Sequence, residues 1–218
     1  MEPDFWRERW KAGAIAFHLA APNPRLVEHA SAIAPPAASR VLVPLCGKSV
    51  DLVHLAALGL EVVGVELVED AARQFFAEQD LTPEISVVGP FTRYSHGGIA
   101  IFVGDFFEST PALLGGAFDA AFDRAAVIAL PPSLRTRYAT TLRSLLSPGA
   151  PVLIVLLTFD APGGPPFSVS GDDLRALYPD DVLERVGSVE VTAESPNLVA
   201  RGATRVDEDT YALRLAKR

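Results

Sequence analysis

Two carboxylates, one arginine and two tryptophans carry most of the chemistry this sequence offers. Glu66 closes the run Glu61-Val-Val-Gly-Val-Glu66. It stands about 20 residues beyond a glycine turn, where nucleotide-binding folds place the acid that receives ribose hydroxyls. A carboxylate suits two vicinal hydroxyls because it can accept from both. Asp105, in Gly104-Asp105-Phe106-Phe107, offers an acid to an exocyclic amine, with aromatic rings beside it for the faces of a purine. It would serve equally as the N-cap of a short helix. Arg124 follows Asp123. Its planar fork fits a carboxylate ligand, unless it is spent on a structural ion pair with Asp123. Trp6 and Trp10 lie four apart and share one face of a helix. They either pin that helix to the domain or form a lid over a ligand, and the face of a tryptophan attracts cations.

These residues need a scaffold, and Arg40 to Glu66 supplies its centre. Val41-Leu-Val43 reads as a strand buried on both faces, stopped by Pro44, which lacks a ladder donor. Gly47 permits a tight turn against a ligand. Lys48 or Ser49 begins a helix whose apolar positions are Leu52, Val53, Leu55, Ala56 and Leu58, and Gly59 ends it. Glu61 to Glu66 is the next buried strand. One glycine stands where a pyrophosphate-binding loop would carry three, so a ligand with a ribose and no phosphate, such as S-adenosylmethionine, fits better. The competing reading of this stretch is an ordinary strand-helix-strand unit with a solvated Glu66.

Around this centre, helices are expected over residues 26–34 and 69–79, with Pro35-Pro36 handing over to the first strand. A β-hairpin spans Phe91–Ser95 and Ile99–Val103 around His96-Gly97-Gly98. Residues 117–123 form a strand, Pro131-Pro132 open a helix to Leu146, and Pro151–Leu157 is the strongest apolar run. Residues 158–170 form a Gly- and Pro-rich loop at the same edge, a substrate-side wall that includes Pro166 and Phe167. A short helix, 171–178, precedes two terminal strands, 182–191 and 210–215, paired antiparallel. The expected fold is α/β, a Rossmann-like sheet that is mostly parallel with an antiparallel last strand. It makes a single domain of residues 1–218, with an N-terminal lid over 1–36 and a core over 40–218.

The 218 residues carry 19 Lys and Arg against 27 Asp and Glu, a net charge of −8. That excludes a general nucleic-acid binder, whose phosphate contacts need a basic face. A lone cysteine, Cys46, rules out an internal disulfide framework and a multi-cysteine zinc site, and no metal is expected. The opening Met-Glu-Pro-Asp-Phe-Trp is not a signal-peptide pattern, and no run reaches the ~20 apolar residues of a membrane span. A cytoplasmic protein is expected. With no heptad pattern or spare apolar face, a monomer is the default.

Taken in order, these motifs resemble the thiopurine S-methyltransferase family, particularly its bacterial branch. They are Phe5-Trp6-x-x-Arg9-Trp10 with Gly13 and Phe17-His18, Pro44-Leu45-Cys46-Gly47-Lys48-Ser49, Val62-Val-Gly-Val-Glu66, Gly104-Asp105-Phe106-Phe107, Phe122-Asp123-Arg124, Gly164-Pro165-Pro166-Phe167, Ala200-Arg201-Gly202 and Thr210-Tyr211. The resemblance implies a seven-stranded methyltransferase fold and transfer of methyl from S-adenosylmethionine to a small thiol, with S-adenosylhomocysteine released. It implies cofactor contacts at Trp10, Leu45, Glu66 and Arg124, with Trp6, Gly47, Asp105 and Phe106 beside them, and an aromatic near the acceptor at Phe17. No side chain is expected to act as an essential base. Arg124 and Phe17 position, and neither Cys46 nor His18 carries a covalent step.

The chain departs from the family at Ala125, where glycine is usual, and in the small side chains of Ala14-Ile15-Ala16. These bear on the acceptor more than on the cofactor. Other readings are an O-, N- or halide methyltransferase, a non-catalytic binder of the same cofactor, and a nicotinamide oxidoreductase, against which the single-glycine loop argues.

Overall fold

The computed structural model describes residues 3–15, 17–34 and 40–217. The hand-over at Pro35-Pro36 and the Ala16 position lie outside these residues. In chain order the helices and strands are α1 (Pro3–Lys11), α2 (Pro24–His29), β1 (Arg40–Pro44), α3 (Asp51–Ala57), β2 (Glu61–Glu66), α4 (Glu69–Glu78), β3 (Glu84–Val88), β4 (Phe91–His96), β5 (Ile99–Val103), β6 (Ala120–Arg124), α5 (Ala126–Ala129), α6 (Pro132–Leu145), β7 (Pro151–Phe159), α7 (Gly171–Leu177), β8 (Val182–Glu190), α8 (Pro196–Val199) and β9 (Val206–Arg214).

One sheet runs through the molecule in the order β3-β4-β5-β2-β1-β6-β7-β9-β8. The block β5-β2-β1-β6-β7 is parallel throughout. At one edge β9 runs antiparallel to β7, and β8 antiparallel to β9. The seven strands from β5 to β8 are the expected sheet. Among the described residues it has nine strands, because β3 and β4 add a second antiparallel edge. β3 was not anticipated: every one of its residues but Val88 is exposed, so no apolar alternation marks it.

The parallel strands are apolar at successive positions because both faces are covered. Leu42, Val63, Val65, Ala121, Val152, Ile154 and Leu156 face one core, which α6 completes with Tyr138, Leu142 and Leu145. Val41, Val43, Val62, Phe122, Leu153 and Val155 face the other, where α3 and α4 bring Leu52, Leu55, Phe75 and Phe76. Adjacent residues thus point to opposite sides, as the strand repeat dictates.

Several boundaries differ from expectation. α3 starts at Asp51, later than Lys48 or Ser49, because the turn after Pro44 needs two left-handed residues, Leu45 at φ +48 and Gly47 at φ +55. Leu58 lies beyond α3 and is exposed. A short helix, α5, follows Arg124 directly, entered through Ala125 at φ +64. β9 begins at Val206, four residues early, because it pairs along the whole of β7. Ser170 and Asp173 start α7 with a reciprocal capping box.

Candidate active site

The carboxyl ends of β1, β2, β5, β6 and β7 open on one side of the sheet, where open α/β folds bind ligands. There the structure holds a cavity of about 950 Å³, at the upper end of the roughly 300–1,000 Å³ of small-molecule sites. Its wall includes Trp6, Trp10, Phe17, Leu45, Gly47, Glu66, Asp105, Phe106, Arg124 and Pro166. Phe167 is not in that wall. Its N–H donates to the Ile128 carbonyl at 2.7 Å, and its ring lies 5.9 Å from the Arg135 guanidinium.

Glu66 is buried, not solvated. One carboxylate oxygen accepts the Gly47 N–H and the other accepts the Val68 N–H, both at 2.8 Å. Burial pushes its pKa up, and these backbone donors oppose the shift. The β1 turn therefore fixes the carboxylate. Each oxygen keeps a further lone pair for an outside donor.

The turn is tight. A Cβ on Gly64 of β2 would stand 2.5 Å from Cys46 Sγ, so the cysteine fills the space that this glycine leaves. Burial raises the Cys46 thiol pKa well above its usual value, and the Glu66 charge adds to that. A thiol so placed is a packing group.

Asp123 and Arg124 part company instead of pairing. The Asp123 carboxylate accepts the Tyr138 hydroxyl of α6 at 2.7 Å and the Ala126 N–H at the start of α5 at 3.2 Å. Arg124 faces the cavity, and its Nη1 donates to the Phe17 carbonyl at 2.6 Å. Burial lowers the Arg124 pKa, and Asp51 and Glu208 in the same wall oppose the shift.

The helix α1 and the segment after it cover this end. The Phe17 ring meets Trp6 edge-on at 5.9 Å and Trp10 at 6.0 Å between centroids. Trp10 is buried, packing with Val68 and Ala71 at the start of α4. The tryptophans pin the helix, and both also line the cavity. His18 also faces the cavity, and burial, then Lys48, lower its pKa.

On the other side Asp105 is exposed and accepts the Phe107 N–H at 2.9 Å, capping a short 3-10 turn. Its capping role is filled while it still lines the cavity. Phe106 is buried against Tyr138, 5.3 Å between centroids, and the Arg137 guanidinium lies 4.2 Å over Phe107. Of the loop 158–170, expected as a substrate-side wall, Pro165 and Pro166 line the cavity, and Arg201 ties the loop down through the carbonyls of Pro162, Gly163 and Pro166 at 2.6–3.1 Å. Arg137, Tyr138, Asp51 and Glu208 were missed as wall residues. No local motif marks them, because long-range packing brings them in.

The donor set suits a cofactor with a ribose, a purine and an amino-acid tail. It offers a fixed buried carboxylate, an aromatic wall with an acid beside it, and an arginine facing the cavity. The family description "Thiopurine S-methyltransferase (TPMT)" matches residues 1–216. A "Thiopurine S-methyltransferase" of Pseudomonas fluorescens SBW25 is 45% identical over 216 residues, covering 98% of this chain and 99% of that protein. One from Pseudomonas aeruginosa UCBPP-PA14 is 43% identical over 218 residues, with the same coverage. Among solved structures, the Burkholderia thailandensis 1,6-didemethyltoxoflavin-N1-methyltransferase, with S-adenosylhomocysteine bound, superimposes with a TM-score of 0.63. It is 16% identical and covers 98% of this chain and 87% of that one. The TehB protein of Haemophilus influenzae has a TM-score of 0.62 at 16% identity, covering 91% and 64%. The chain belongs to the thiopurine S-methyltransferase family of S-adenosylmethionine-dependent enzymes.

Proposed function

We propose that this chain holds S-adenosylmethionine at the carboxyl edge of its sheet and directs the methyl group to the sulfur of a small thiol entering past Phe17 and Pro166. The reading is supported above all by the convergence of Glu66, Arg124, Asp105, Phe106 and both tryptophans on one cavity. Glu66 takes the ribose hydroxyls on the lone pairs that its backbone partners leave. Asp105 and Phe106 receive the purine. Arg124 uses the N–H groups not given to Phe17 to hold the carboxylate of the amino-acid tail.

The bound cofactor supplies a methyl group already activated by a positively charged sulfur. The protein therefore has to align groups, and it needs no new nucleophile. Phe17, Trp6 and Trp10 keep water from that alignment. We assign Cys46 no covalent step, a reading its burial and raised thiol pKa support. His18 is shifted toward the neutral form, and we assign it no essential proton transfer. An aromatic or heterocyclic thiol ionises partly near neutral pH and reacts without a dedicated base.

The relatives' name points to heteroaromatic thiols as acceptors. Sulfur, selenium or tellurium anions and secondary-metabolite thiols belong in the same assay. We take the working form to be a cytoplasmic monomer, with no membrane partner. Among the described residues no helix is long and apolar enough to cross a membrane. Isothermal titration with S-adenosylhomocysteine, on the parent and on Glu66→Ala, tests the reading. Binding by the parent that is lost in the variant supports it, and a thiol panel then names the acceptor. A parent that binds NADH and not S-adenosylhomocysteine overturns it.

A further inference from the structure

Tyr138 is fully buried on α6, yet it is part of the cavity's lining. Its ring backs Phe106 at 5.3 Å between centroids, with the planes tilted by 36°. Its hydroxyl donates to Asp123 Oδ2 at 2.7 Å, while Asp123 Oδ1 accepts the Ala126 N–H at 3.2 Å. Asp123 thereby fixes the turn through the left-handed Ala125, the turn from which Arg124 departs into the cavity. We propose that Tyr138 is a positioning residue for the cofactor: one side chain sets where Phe106 and Arg124 stand relative to each other, through its ring at one end and through Asp123 at the other. The proposal rests on the reading above, in which Phe106 and Arg124 serve the two ends of the same ligand.

The coupling is sensitive to protons. Burial pushes the Asp123 carboxyl up to about 6, and the Tyr138 hydroxyl with the Val127 and Ala126 N–H groups oppose that rise. The Tyr178 phenol also faces Asp123 and feels its charge. A protonated Asp123 accepts the phenol and the Ala126 N–H less strongly. The turn loosens, and Arg124 with it.

The test is the affinity for S-adenosylhomocysteine by calorimetry across about pH 5 to 8, scored on protein shown to be folded by circular dichroism. The parent loses affinity on acidification through the titration of Asp123. Tyr138→Phe keeps the ring and deletes the donor. It binds about 10-fold more weakly near neutral pH, and its acid limb moves to higher pH because a group favouring the ionised carboxyl is gone. Asp123→Asn keeps an acceptor and removes this titration, so its share of the limb disappears and only the share of Glu66, whose carboxyl burial also raises, remains. It carries the test if Tyr138→Phe fails to fold, and it separates Asp123 from His18, which shares the cavity.

Parent affinity and an unmoved limb in Tyr138→Phe overturn the proposal, as does a limb in Asp123→Asn no different from the parent's. A purely structural tyrosine would lower stability and leave the limb where it was. A parent that does not bind S-adenosylhomocysteine at all sinks the cofactor reading instead.

Discussion

Glu66→Gln exchanges one oxygen for an NH2 group and keeps the shape of the side chain. Both parent oxygens already accept a backbone N–H at 2.8 Å, from Gly47 and from Val68. An amide has one acceptor, so its NH2 must face one of those donors. The lost bond involved a charged group, worth about 1.5–3 kcal/mol. Removing a buried charge offsets much of that for folding, since burial opposes the ionised form here. Net folding stability should fall by about 1 kcal/mol. Binding has no such offset. The ribose loses a charge-assisted acceptor, again about 1.5–3 kcal/mol, or roughly 10- to 150-fold in affinity. Titration calorimetry with S-adenosylhomocysteine, beside a denaturant melt, measures both numbers. Affinity within about twofold of the parent, combined with a clearly lowered melt, would refute the reasoning. The carboxylate would then serve the turn and not the ligand.

Gly64→Ala should cost about 1–3 kcal/mol, because the new methyl stands 2.5 Å from Cys46 Sγ. Cys46→Ala should recover most of it, and urea melts of the four combinations would contradict this if the two costs simply add. Ala125→Gly relieves a left-handed alanine at φ +64. The relief of about 1–2 kcal/mol exceeds the added flexibility of the unfolded chain, so stability should rise by up to about 1 kcal/mol. A loss of stability in thermal melts would count against strain there. Stability should also fall as pH rises from near 4 to near 6. Folded Asp123 holds its proton up to about 6, against 3.8 for the ordinary carboxyl, so the folded state binds more protons across that window. The effect is about 3 kcal/mol. Denaturant melts at about pH 4 and pH 7 should show the drop in the parent, reduced in Asp123→Asn.

The half of the site that lies along one stretch of chain was readable. Pro44, Gly47, Gly59 and Glu66 mark a strand, turn, helix and strand through local backbone demands, and local demands are written in residue type. The two tryptophans four apart announced a helix face by spacing alone. What needed the third dimension was not readable. Asp123 and Arg124 look like a pair in sequence, and the alternation of a strand sends them to opposite faces, one to Tyr138 and one to the Phe17 carbonyl. Phe167 sits in a motif beside Pro166 but turns away from the wall. β3 presents Ile85 and Val87 to the outside, 59% and 78% exposed, so burial left no pattern to detect. Its membership in the sheet comes from backbone pairing with β4, which any side chains would permit.

Trp6 and Trp10 are the chain's two tryptophans, and both stand over the cavity with Phe17 between them. Ultraviolet light absorbed by indole in this protein is thus absorbed only in α1, beside the cavity. An excited indole is a good electron donor, and a sulfonium or a purine brought against it is an acceptor. The emission should dim when the cleft fills and shift in colour when the helix changes its contact with water. The fold has placed a built-in lamp over the cavity, and under the proposed reading the order in which cofactor and acceptor arrive can be timed without attaching a dye.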